Sequence, residues 1–145
     1  MTIKNWDTYT RNLWGWDWLS GCFPQNPRIH PSDRDGFVSV DGYLLFIDGK
    51  VTAGLPPPAR ADEIMVRTAG NVTCLYLRAD PNGWQPELDG HEPQTISHYY
   101  LIRGPWPARS WQWDRWVPTT KDDMWHLVCQ WATWADERAH RDDDI

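Results

Sequence analysis

DGFVSVDGYLLFIDGK, residues 35 to 50, is the stretch whose reading decides how this chain folds. Two β-prone runs flank Asp41-Gly42, a dipeptide suited to the positive φ that a two-residue type I′ hairpin turn needs at both central positions. The stretch reads as a β-hairpin, and the turn fixes its register. Val40 opposes Tyr43, and counting outward puts Asp35 opposite Asp48 and, where the pairing extends that far, Asp33 opposite Lys50. Alternation then assigns Val38, Val40, Tyr43, Leu45 and Ile47 to an apolar face, and the acids with the lysine to the end of the other.

On the N-terminal side, Asn5 is an N-cap for a helix over about residues 6–19, since Trp6, Tyr9, Thr10, Leu13 and Trp14 recur at helical spacing. Three prolines between Cys22 and Pro31 make that segment a loop. On the C-terminal side, VTAGLPPP (51–58) is a second loop, and residues 59–69 form a helix ending at Gly70. VTCLYLR (72–78) is the near-continuous apolar run expected of a central strand covered on both faces. A loop over 80–93 leads to another strand, TISHYYLI (95–102), and the spacing admits a short strand at 110–116 after a Pro-rich turn. From Thr120, with Asp123 as a capping-box variant, Met124, Leu127, Val128, Trp131, Trp134 and Ala135 mark an amphipathic last helix. The charged residues from Arg138 onward read as a tail that frays, 139–145 in particular. The expectation is one α/β domain over 1–145, an α+β mixed sheet in the order helix, hairpin, helix, strand, strand, helix.

A chain of 145 residues can close one core but not two. Apolar residues make up 41% and include 12 tryptophans, enough for a folded protein. The net charge of -6 argues against coating nucleic acid through bulk charge, so any such contact must be local. Cys22, Cys74 and Cys129 have neither zinc spacing nor a disulfide pattern, which fits a reducing cytosol. No apolar run is long enough to span a membrane, and the N-terminus lacks the layout of a signal peptide. The expected location is the cytoplasm.

Two carboxylates opposed across a ladder repel each other unless a cation or proton sits between them. A hard cation such as Mg²⁺ or Mn²⁺, with oxygen ligands and retained water, would relieve that repulsion at Asp35 and Asp48. Lys50, two residues from Asp48, would then orient water or stabilise charge on a phosphoryl oxygen. Those parts suffice for phosphodiester hydrolysis. The bland reading is a solvated acidic surface, which most charged pairs are.

At these residues the sequence resembles the PD-(D/E)XK nuclease superfamily, in which an acid opens one strand and a (D/E)xK triplet ends the next. Asp35 and Asp48-Gly49-Lys50 carry the likeness. It looks particularly like small phage and bacterial proteins with an NWD helix, a DxDG strand and a LFIExK-like strand, features present as Asn5-Trp6-Asp7, Asp33-Arg34-Asp35-Gly36 and Leu45 to Lys50. Two departures stand out: Asp48 replaces the usual Glu, and Arg60, Asp62 and Glu63 occupy the helix where members often carry a Gln. The resemblance implies a restriction-endonuclease-like core, Mg²⁺, DNA as substrate, and Asp35, Asp48 and Lys50 as the catalytic set in a bacterial or phage-infected cell.

The five histidines show no metal-ligand spacing, and only His30, just before the acids, is a candidate auxiliary residue beside Asp33. No phosphate-binding Gly-rich loop occurs. Trp106, Trp111, Trp113 and Trp116, interleaved with Arg103, Arg109 and Arg115, would suit a stacking surface for nucleic acid, with Arg109, Trp111, Trp113 and Arg115 as contacts. Ordinary core packing is the competing explanation. Trp111, Trp113 and Arg115 would share a face if 110–116 is a strand. Two functional classes follow: a DNA endonuclease, or a nuclease-like scaffold without turnover that binds a host or phage protein. The Trp-rich last helix also offers a homodimer interface.

Overall fold

The computed structural model describes residues 22, 36–51, 54–79 and 96–143. The first expected helix, His30, Asp33, Asp35 and the loop over 80–93 lie outside the described residues.

The hairpin is present in the register that the turn dictates. Strands β1 (Gly36–Val40) and β2 (Tyr43–Val51) pair antiparallel, from Val40 opposite Tyr43 to Gly36 opposite Ile47. Asp41 (φ 50°) and Gly42 (φ 91°) both carry the positive φ that the type I′ geometry demands.

Helix α1 (Arg60–Ala69) follows, and Gly70 at φ 77° ends it in the left-handed conformation that glycine adopts without a Cβ penalty. The chain then returns as β3 (Val72–Ala79), parallel to β2. Asn71 sets that register: its backbone carbonyl accepts from Leu44 N–H at 2.9 Å, and its side-chain amide donates to the carbonyl of Gly42 at 2.8 Å. The start of β3 is thereby tied to the hairpin turn. Strands β4 (Ile96–Ile102) and β5 (Trp116–Pro118) add antiparallel, giving a mixed sheet in the order β1-β2-β3-β4-β5. With two helices among the described residues, the architecture is α+β.

The helices cover opposite faces of the sheet. On one face lies the main core, where Val38, Val40, Leu45, Ile47, Leu75, Leu77 and Leu101 meet Met124, Leu127, Val128 and Trp131 of helix α2 (Lys121–Asp143). The backbone N–H of Asp123 donates to Thr120 Oγ1 at 3.1 Å, so the cap expected at Thr120 is in place. The helix continues to Asp143, through charged residues read from the sequence as a tail. On the other face, Val66 of α1 packs on Val72, Cys74, Tyr76 and Ile102, with Leu44, Phe46 and Met65 at the margin. This second core explains the near-continuous burial of β3, which is covered from both sides.

The strand expected at 110–116 does not form. Trp111 N–H closes a turn on the carbonyl of Ala108 at 3.0 Å, and Asp114 N–H reaches the carbonyl of Leu101 at 2.8 Å. Ala108 (φ 49°) and Asp114 (φ 61°) take left-handed conformations that no continuous strand tolerates, so β5 starts only at Trp116. Trp111, Trp113 and Arg115 therefore share no strand face. No helix among the described residues is long and apolar enough to cross a membrane.

Candidate active site

Register places the functional side chains in rows across the sheet face that α1 covers. Asp48 of β2 pairs with Tyr76 of β3, Tyr76 with Tyr100 of β4, and Tyr100 with Trp116 of β5. Paired residues point to the same side, so this row lies together under α1. The aromatic members meet edge to face, Tyr76 with Tyr100 at 6.4 Å and Tyr100 with Trp116 at 5.7 Å between centroids. Trp116 Nε1 donates to the carbonyl of Pro56 at 2.9 Å and holds the loop that leads into α1.

One row further along, Lys50 pairs with Arg78 and Arg78 with His98. The ladder shifts between Arg78 and Ala79, whose partners are His98 and Ile96, and Ser97 is the extra residue. Arg78 Nη1 donates to Ser97 Oγ at 2.7 Å, Arg78 Nε donates to the carbonyl of Gly54 at 2.9 Å, and His98 Nδ1 lies 3.0 Å from Ser97 Oγ. Burial, then the charge of Arg78, holds the His98 imidazole below its ordinary pKa. The face thus changes from apolar at Leu44 and Phe46 to acidic at the Asp48 row and basic at Arg78.

A cavity of about 210 Å³ opens at the acidic row, lined by Asp48, Asp62, Cys74 and Tyr76 with Phe46 and the β2 and β3 backbone. Asp62 comes from the first turn of α1, and its Oδ2 accepts a hydrogen bond from the Tyr76 hydroxyl. Burial, then that bond and the Asp62 charge, push the Tyr76 phenol far above its usual range, so it stays a donor. Burial and then the charges of Asp62 and Asp48 push Cys74 up to about 12, so its thiol stays protonated near neutral pH. What the cavity offers is carboxylate oxygen and a phenol whose one proton is already given to Asp62.

Of the residues chosen from sequence, Asp48 lines this cavity and Lys50 stands one row along, opposite Arg78. Asp35, Asp33 and His30 lie outside the described residues. The bland reading of a solvated surface does not describe Asp48, which is half-buried on the sheet face that α1 covers. The Arg and Trp set disperses. Arg109 and Arg115 are exposed, Trp106 is buried in the main core, Trp111 is half-buried with Nε1 donating to Gln130 at 2.7 Å, and Trp113 lies under the Arg103 guanidinium at 4.1 Å.

Sequence reasoning missed Tyr76, Arg78 and His98, and Asp62 entered it only as a departure from a family pattern. The available signal was the strand at 72–78 itself: once parallel pairing with β2 is granted, Tyr76 and Arg78 fall beside Asp48 and Lys50. For a hard divalent cation, the donor chemistry fits in kind, since two carboxylates line one cavity. No group of three or more His, Cys, Asp or Glu side chains among the described residues would hold an ion by itself. The chain matches no family model, no curated protein and no solved structure.

Proposed function

We propose that this protein is a metal-dependent DNA endonuclease of the PD-(D/E)XK type. The observation that carries the reading is the acidic cavity beneath α1, where Asp48 from the hairpin meets Asp62 from the helix. The register read from the turn supports Asp35 as the second ligand: the described pairing runs unbroken to Gly36 opposite Ile47, and one further residue in the same register would put Asp35 across from Asp48. Asp35 and Asp48 would hold Mg²⁺ or Mn²⁺, with Asp62 as a nearby acceptor. When bound, the ion would supply Lewis acidity toward a phosphoryl oxygen and lower the pKa of water.

The protein's own part is to position and to donate. Lys50, one row beyond Asp48, would supply an ammonium that stabilises charge developing on the phosphoryl group. Arg78, anchored to Gly54 and Ser97, adds a fixed cation in the same row. Tyr76 keeps Asp62 oriented through its hydroxyl. Incubation with supercoiled, linear and branched DNA in Mg²⁺, Mn²⁺ or EDTA tests the reading. Conversion that needs the metal and disappears in Asp48→Asn supports it, and no conversion of any DNA form removes it.

A second reading keeps the scaffold without turnover, as a partner of a host or phage protein. The bond from Tyr76 to Asp62 favours it, because that carboxylate already has a structural acceptor role. Manganese-dependent thermal stabilisation that vanishes in Asp35→Ala separates the two, since a pure interaction scaffold need not bind metal.

A further inference from the structure

At the opposite end of β2 from Asp48, a groove of about 760 Å³ runs between the hairpin, the 103–110 loop and the later turns of α2. Three arginines line it, Arg103, Arg109 and Arg138, and no carboxylate among the described residues does. In a chain of net charge -6, this concentration of one sign is a local reversal of the overall balance. The walls are stiff. Pro105 and Pro107 restrict the loop, Tyr43 and Trp134 meet edge to face at 5.0 Å, and Trp106 is buried in the core behind. Arg103 lines both this groove and the neighbouring pocket, where its guanidinium stacks over Trp113.

We propose that this groove binds the phosphate backbone of single-stranded nucleic acid, at a site separate from the acidic cavity. Guanidinium groups match phosphate oxygens in planar, paired hydrogen bonds, and aromatic walls take unpaired bases without regard to sequence. Tyr43 lies five residues from Asp48 along β2, roughly 17 Å at the rise of an extended strand, and on the opposite face of the sheet, so the groove is a site of its own. The proposal rests on the reading of the protein as one that acts on nucleic acid, but it needs neither metal nor cleavage.

The test is fluorescence anisotropy of a labelled oligothymidylate with the full chain in EDTA, across a salt series. Wild type should bind, and Arg109→Glu, at an exposed position, should weaken binding at least tenfold. The slope of log affinity against log salt should flatten by about 0.7 for each phosphate that the variant no longer neutralises. Arg109→Gln and Arg103→Gln, checked for an unchanged circular dichroism spectrum, should each weaken binding in the same direction. Binding read in EDTA needs neither metal nor cleavage, so failure of the cleavage reading and failure of the groove are told apart. Unaltered affinity in the arginine variants overturns the proposal. So does competition by polyglutamate as strong as by oligothymidylate at equal charge, which would mark the groove as a site for acidic peptide.

Discussion

Replacing Tyr76 by Phe removes one oxygen and tests whether the acidic cavity is held together through the phenol. Tyr76 is 3% exposed, and its hydroxyl donates to Asp62, which is only half-buried. A hydrogen bond to a charged acceptor contributes about 1.5–3 kcal/mol, and partial exposure of Asp62 places the cost near the lower figure. The pH dependence is the sharper signature. Burial and Asp62 raise the phenol's pKa above its ordinary value of 10.0, so the folded state keeps a proton that the unfolded chain releases. Stability from this group is therefore complete below pH 10 and declines as pH rises above it, by about 1.4 kcal/mol per unit. Phenylalanine has no proton to lose. Urea titrations at pH 8 and pH 11 should show the gap between wild type and Tyr76→Phe shrinking by about 1.4 kcal/mol, while other alkaline groups such as Cys74 cancel in the difference. A gap that stays constant to pH 11 would refute the coupling of Tyr76 to Asp62.

Further outcomes follow from the same structure. Trp131 is fully buried in the main core, and Trp131→Ala should cost about 3–5 kcal/mol in chemical denaturation; a wild-type melting curve would take α2 out of the core. At Gly104 (φ 57°) an added Cβ would sit 1.9 Å from the carbonyl oxygen of Val72, whereas at Gly70 (φ 77°) it meets nothing within 4 Å. Gly104→Ala should therefore destabilise by more than about 3 kcal/mol and Gly70→Ala by about 1 kcal/mol, and equal losses would contradict the close approach. Calorimetry with Mn²⁺ should show binding weakened by Asp48→Asn and spared by Lys50→Ala, with the metal-free Asp48→Asn fold equal to or more stable than wild type. Loss of stability in metal-free Asp48→Asn would make that carboxylate structural.

The parts of the fold legible in the sequence are those governed by short-range rules. Asp41-Gly42 fixed the antiparallel register of the hairpin because a two-residue turn leaves no slack, and Thr120 announced its helix because a cap acts within one turn. The parallel pairing of β2 with β3 obeys no such rule. It depends on how far α1 carries the chain and on Asn71 reaching back to Gly42, a contact across 29 positions. The cavity inherits that difficulty: Asp48 could be chosen from the hairpin, but Tyr76 and Asp62 join it only through the crossover. The segment at 110–116 misled for another reason. Its alternating tryptophans imitate a strand, while Asp114 within it and Ala108 just before it enter left-handed conformations that break the strand.

The parallel pairing also orders events in time. The β1–β2 hairpin closes over two residues and can form in microseconds by itself. Strand β3 can take its place beside β2 only after the chain from Val51 to Val72 has folded back, which carries a loop-closure entropy before any contact repays it. On this order Asp48 would be in position on the hairpin before Tyr76 and Asp62 arrive to enclose it. Substitutions within the Asp41-Gly42 turn should act on the rate of folding, whereas those at the Tyr76–Asp62 pair should act on the rate of unfolding.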